Sequence, residues 1–368
     1  MNKWRTIFTV HTDMIDRNVG LDIVRGIGLL MVFFGHSIPI FGSYFSFINV
    51  FSHLFRNGIE LFFALSGFLI GNILIKQFVS STDYSLQNLF LFYKRRWFRT
   101  LPLYYLGILI NLFVGFFITQ NYHDFNWKFL VFFQNLIQSS FYFYPVSYSL
   151  CIEEWFYLLF PLLFLIGISV FRNKPFQVMI AVCFIFIIVS TFIRNNIYNN
   201  QHFHWDTHMR KSIVTRLDSS VYGILLALFF NQFQLLFKKW KNVLLLIGVL
   251  LNVLGMWFYL YHYESIWNNV FYFNIIPVSF VLFIPWFYYF KFNSPTLNRL
   301  FTRLSLIAFA FYIIHLSPLM EVLNMFIKGQ NMMVVSISFV VYTIVTFACA
   351  TLLYLYFESP LTKLREKY

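Results

Sequence analysis

Two kinds of side chain in this sequence suit chemistry: imidazoles and carboxylates that can move a proton, and guanidiniums that can grip phosphate. His36, Glu60, Glu153, Glu154, Asp218 and His315 are of the first kind; Arg25, Arg96, Arg99 and Arg216 are of the second. An imidazole near carboxylates is the composition that general acid–base catalysis needs, the base taking a hydroxyl proton as the oxygen attacks. Arg96 and Arg99, three apart in YKRRWFRTLP, share a helix face. Guanidinium groups bind phosphate bidentately, so this pair suits a multiply phosphorylated ligand. Each group also has an ordinary explanation. Basic residues beside a membrane span anchor lipid and set topology, and an intramembrane histidine is often held by an interhelical hydrogen bond.

Membrane helices must position these residues. The 368 residues are 59% hydrophobic, 23% aromatic and only 11% charged, too little polar surface for a soluble domain of this length. Apolar runs of ~20 residues, long enough to cross a bilayer, recur from Leu21 almost to Glu358. The expectation is an all-α, polytopic transmembrane helix bundle of about ten spans, a single domain over residues 1–368. The spans are expected at 20–41, 59–79, 101–118, 149–171, 176–193, 213–235, 242–261, 271–290, 304–325 and 333–356. Trp127 to Ile137 is apolar but too short to cross, so an interfacial position is expected. The polar stretch from Met1 to Arg17 does not read as a cleavable signal peptide.

Charge sets the orientation. Of the 27 Lys and Arg, nineteen fall on one side, and Arg56, Lys128, Arg194, Arg210, Lys211 and Lys328 on the other; Arg25 and Arg216 lie within spans. Basic loops face the cytoplasm, so both termini are expected there, with the chain in the cytoplasmic membrane. The formal charge of +13 is then a topology signal, with membrane lipids as surroundings and no nucleic-acid partner.

Depth follows from helix geometry. Arg25 and His36 are eleven positions apart, about three turns, so both leave one helix face ~16 Å apart along the axis. Arg25 lies at the cytoplasmic end, level with Arg96 and Arg99. His36 lies towards the outside, at the depth Glu153 and Glu154 reach from the fourth span. Glu60, Arg216 and Asp218 enter from that outer end, and His315 sits near mid-depth. Ionisable groups in lipid cost ~2.5 kcal/mol or more each and usually face a bundle interior or cavity.

The same residues carry a family likeness. LDIVRGIGLLMVFFGH resembles the first helix of the acyltransferase 3 family of integral-membrane O-acyltransferases, with its Arg, ten residues, then His. GIELFFALSGFLI, FYKRRWFRTLPLYY, YSLCIEEWFYLLFPLL, TRLDSSVYGILLAL, FYIIHLSPL and FESPLTKL resemble its later segments in order, from about Arg17 to Leu361. The resemblance implies transfer of an acyl group, most often acetyl, from cytoplasmic acyl-CoA to a hydroxyl of a cell-surface polysaccharide or lipid-linked sugar. By position, Arg25, Arg96 and Arg99 would hold the CoA phosphates. His36 would be the catalytic histidine, as general base or as a nucleophile that carries the acyl group, and Glu154 the second glutamate of its motif, orienting or charging that histidine. Glu60, Glu153, Arg216, Asp218 and His315 are expected on the acceptor side. Tyr148 stands where the family usually has Trp, and Glu60 where Asp is commoner. With no esterase-like domain after the helices, a second transfer step would fall to a separate extracytoplasmic transferase or biosynthetic complex.

Other groupings are weaker. QHFHWDTH brings His202, His204, Asp206 and His208 together but has no second ligand set, so no metal is expected. Cys151, Cys183 and Cys349 have no metal or disulfide spacing. The rival class is a proton-coupled exporter or flippase of a glycan precursor, since buried His, Glu, Asp and Arg also suit a proton relay. Against it, the two halves hold no internal repeat and no matching pair of interrupted helices.

Overall fold

The computed structural model describes residues 17–42, 45, 49–120, 122–138, 143–172, 174–200 and 202–364. Lys3, Arg5, Arg365 and Lys367 of the charge count, and Gln201 of the histidine-rich loop, lie outside the described residues. The described chain is helical, with no strand. Its α-helices are α1 Val19–Phe41, α2 Asn49–Arg56, α3 Gly58–Leu74, α4 Leu86–Val114, α5 Ser147–Val170, α6 Pro175–Asn199 and α7 Val221–Gln232. They continue as α8 Gln234–Tyr261, α9 Tyr272–Val281, α10 Ile284–Tyr288, α11 Pro295–Ile314, α12 Glu321–Ile327, α13 Met332–Leu353 and α14 Ser359–Leu364.

Side chains at the starts of these helices satisfy backbone donors that no helix can pair internally. Asn18 accepts from the Leu21 amide at 3.1 Å, Ser85 from Asn88 at 3.2 Å and Asn331 from Val334 at 3.0 Å. Ser294 caps α11, where Pro295 supplies the preset φ of a first helical residue.

Among the described residues, 9 helical stretches are long and apolar enough to cross a membrane. They match nine of the ten expected spans, several with longer ends; the third runs from Leu86 to Thr119. The sixth differs. Only Val221–Gln232, 12 residues, is helical there, and residues 214–220 form a chain of turns. Thr215, Asp218, Ser219 and Ser220 offer the backbone alternatives to helical pairing. Thr215 Oγ1 donates to the Met209 carbonyl at 2.9 Å, and Ser219 Oγ donates to the Arg216 carbonyl at 2.7 Å. Non-helical backbone at membrane depth is tolerated only where protein covers it, and Thr215, Arg216, Asp218 and Ser219 are all fully buried.

Two ion pairs bolt this turn segment to its neighbours. Arg194 of α6 donates to Asp218 at 3.0 and 2.8 Å, to the Thr215 carbonyl at 2.5 Å and to Asn274 of α9 at 3.0 Å. Arg216 forks onto Glu60 of α3 at 2.7 and 2.6 Å and lies 4.4 Å from the centre of the Phe273 ring. One turn thus fixes α3, α6 and α9. Beside it, α3 and α7 cross with backbones touching: a Cβ on Gly67 would overlap the Ser220 carbonyl, and one on Gly223 the Ala64 carbonyl.

α1 lies between α3 and α11 at the centre of the bundle. α11 breaks at its far end, where Ser317 takes φ −120° and ψ 119° ahead of Pro318. The Tyr342 hydroxyl donates to the carbonyl of His315 there at 2.7 Å, satisfying one acceptor that the break frees. The segment around Trp127 is a short turn of 3-10 helix, Trp127–Val131. It leaves Trp127 outside and buries Gln134 and Asn135 against α5.

Replacing Arg194 with Met strands the Asp218 carboxylate in the interior. Loss of one partner of a buried pair costs about 3–5 kcal/mol. Thermal unfolding of the detergent-solubilised protein should show a lowered Tm for Arg194→Met, with no such change for Lys328→Met in an exposed loop.

Candidate active site

Two cavities that carry charged side chains adjoin inside the bundle. The first, about 940 Å³ of space open on one side, is walled by Arg25 of α1, Arg96, Arg99 and Thr100 of α4, Glu153 of α5, Ser305 of α11 and Glu358 beside α14. Helix periodicity explains the gathering: Arg96 and Arg99 leave one face of α4, and α1 and α11 pack side by side, bringing Arg25 to Ser305. Arg25 Nη1 donates to Ser305 Oγ at 2.9 Å, and Ser305 Oγ donates onward to Asp22 at 2.6 Å. Asp22 is already gripped by Arg17 at 3.0 and 2.6 Å, so it leaves Arg25, 3.9 Å away, only partly neutralised. The Arg96 guanidinium lies 5.1 Å from the centre of the Tyr157 ring, whose hydroxyl bonds Ser66. Arg99 has no ion pair among the described residues. Residues of the first and last crossings share this cavity, so those crossings meet at the same end of the bundle.

The second cavity is a cleft of about 450 Å³ at the opposite end, lined by His36, Arg56, Tyr148, Arg210, Lys211 and Tyr312 among others. Ile59 and Tyr312 line both cavities and form the wall between them. The Tyr312 hydroxyl donates to the Val146 carbonyl at 3.0 Å and pairs with Ser149 Oγ at 2.6 Å, which holds its ring across the passage.

His36 meets an unexpected partner. Its Nδ1 lies 3.0 Å from Nε2 of His315, and His315 Nδ1 lies 3.0 Å from the Tyr312 carbonyl. A carbonyl only accepts, so with both rings neutral His315 carries its proton on Nδ1 and offers a lone pair at Nε2. That lone pair takes the proton of His36 Nδ1. His36 Nε2 is left unprotonated, on a ring that lines the cleft. Stacking against Phe311, ring centres 5.3 Å apart and planes at 14°, fixes His315 from the side. The relay arises where α11 breaks, since His315 is the first residue of the irregular turn.

The other expected residues divide into groups. Arg25, Arg96 and Arg99 come together as expected; Glu153, expected on the acceptor side, lines their cavity instead and is absent from the cleft of His36. Glu154 does not touch His36; it accepts from Thr100 Oγ1 at 2.7 Å, behind the wall of the first cavity. Glu60, Arg216 and Asp218 line neither cavity and are committed to the two buried ion pairs. Residues that sequence reasoning left out of the site are Ser305, Glu358 and Ser66 on one side of the wall, and Tyr312, Arg56, Arg210 and Lys211 on or beyond it. No group of three His, Cys, Asp or Glu able to hold a metal ion forms among the described residues. In the histidine-rich loop, Asp206 is taken by Arg210 and Lys211, both at 2.5 Å.

The described chain is thus a polytopic helix bundle with an arginine-lined cavity on one side of a shared wall and a pair of hydrogen-bonded histidines on the other. A family model described as an acyltransferase domain matches residues 18–355, nearly the whole chain, and the chain belongs to that acyltransferase family. It is a multi-pass membrane acyltransferase. No curated protein and no solved structure matches it.

Replacing His315 with Phe keeps an aromatic ring and removes the acceptor that orients His36. Acyl transfer should slow roughly 10–100-fold, the usual loss when a partner behind a functional imidazole is removed. Binding at the arginine cavity should be unchanged, which a titration of the purified variant checks.

Proposed function

We propose that this protein moves an acyl group, acetyl being the simplest, from acyl-CoA to a hydroxyl of a cell-surface polysaccharide or lipid-linked sugar. It does so across the cytoplasmic membrane. The observation that carries the reading is the pairing of cavities back to back: three arginines at the basic end, an unprotonated imidazole nitrogen at the other, and a single wall between. The positive-inside bias puts the arginine cavity in the cytoplasm, where acyl-CoA is made. Arg25, Arg96 and Arg99 suit its phosphates as bidentate and charge-assisted donors.

In this reading His36 Nε2 takes the proton of the acceptor hydroxyl as its oxygen attacks the thioester carbonyl. The C–O bond forms, the C–S bond breaks, and the proton passes to the departing CoA sulfur. His315 holds the ring in the tautomer that can accept, and Tyr312 must swing aside for the thioester to reach it. The chemistry needs no metal. Glu154 contributes from behind Thr100 as a positioning residue of the donor cavity.

His36→Ala should lower acyl transfer about 10²–10⁴-fold, the range of a lost general base, while CoA binding persists. Arg96→Ala with Arg99→Ala should do the converse and weaken CoA binding at least about tenfold, a loss of ~1.4 kcal/mol. Calorimetric titration of CoA into the purified variants, beside transfer assays with radiolabelled acetyl-CoA, separates the two. Transfer at wild-type rate by His36→Ala would remove the base from this scheme.

A further inference from the structure

The cleft around His36 holds more positive charge than proton transfer requires. Arg56, Arg210 and Lys211 all line it, against one carboxylate, Asp206. Asp206 bridges Arg210 and Lys211, and their charge holds its carboxyl well below the usual range even though burial pushes it up. The same anchoring aims Arg210 inward: its Nη1 donates to the Tyr148 hydroxyl at 2.8 Å, with the guanidinium 5.2 Å from the centre of that ring. Arg56, on α2 across the cleft, has no carboxylate within ion-pair distance among the described residues. Two positive charges therefore remain unbalanced beside the reactive imidazole.

Topology does not account for them. Bilayer insertion disfavours Lys and Arg on the outer side, and only six of the 27 fall there. Arg194 is used internally by Asp218. Of the remaining five, three converge on this one cleft. Cations retained against the insertion bias, gathered from two separate segments and held within a cavity, fit a ligand of opposite charge.

Given an acceptor hydroxyl at His36, as the proposed function holds, we propose that the acceptor is anionic. The sugar or polyol unit carries a carboxylate or a phosphate close to the acylated hydroxyl, gripped by Arg56 on one side and by Lys211 and Arg210 on the other. A neutral acceptor would leave these cations desolvated and unpaired when it filled the cleft.

The test uses the detergent-solubilised full chain, radiolabelled acetyl-CoA and surface polymer purified from cells that lack the gene. The polymer is offered native, carboxyl-reduced and phosphate-stripped. The proposal expects transfer to native polymer and a loss of about tenfold or more, ~1.4 kcal/mol, on one of the two treatments. Loss on carboxyl reduction identifies an acidic sugar; loss on phosphate removal identifies a sugar or polyol phosphate. Arg56→Gln should raise the KM for native polymer by a similar factor and leave that for acetyl-CoA unchanged, with Lys211→Met as an independent second variant. Equal transfer to all three polymers, or an unchanged polymer KM in both variants, overturns the anionic acceptor and leaves the acyltransferase reading standing. No transfer to any polymer, nor to lipid-linked sugars extracted from the same cells, with CoA still bound, overturns the glycan acceptor and this inference with it.

Discussion

A charged side chain surrounded by hydrocarbon has no water to turn to, so each one must find its partner within the protein. The architecture follows from that constraint. Arg194 and Arg216 are the two largest fully buried side chains, and each is answered by a carboxylate that is itself almost fully buried. Those two pairs converge on residues 214–220, and the turn they stabilise locks α3, α6 and α9 together. α1 packs against α3 on one side and directly against α11 on the other, which brings His36 within hydrogen-bond reach of His315.

The pairing of the two histidines depends on a helix that stops being regular. His315 reaches His36 from the point where α11 gives up helical pairing, and the carbonyl that sets its tautomer belongs to Tyr312, three residues earlier. The same Tyr312 hydroxyl bars the passage between the cavities. A short stretch of one broken helix thus decides both the tautomer of the His36 ring and the wall between the two cavities. Substitutions at residues 312–318 are accordingly expected to couple two properties that in soluble enzymes often reside in different loops.

Much of this was legible in the residues themselves, because hydropathy and helix rise report depth. The spacing of Arg25 and His36, and of Arg96 and Arg99, placed the arginines in one cavity and the histidine in the other. Depth does not report azimuth. Glu60, Arg216 and Asp218 have the right level for an acceptor site, yet they face one another and Arg194. Arg194 itself read as an outer-loop cation because the apolar run seemed to end at Ile193, whereas α6 continues through Asn199. Thr191, one turn before it and hydrogen-bonded to it at 2.9 Å, was the available hint of a polar face. The partnership of His36 with His315 rather than Glu154 was beyond reach, since it depends on a break whose direction no periodicity encodes. Hydropathy alone gives the sixth crossing as a full helix, although its first half is rich in Ser, Thr and Asp, the residues that compete with helical backbone pairing.

The wall made by Ile59 and Tyr312 has a consequence for the cell as much as for the reaction. An aqueous path lined by arginines and histidines and running from face to face would let protons cross any membrane that holds the protein. With the tyrosine tethered to Ser149 and the Val146 carbonyl, packed side chains and not a continuous channel lie between the two cavities.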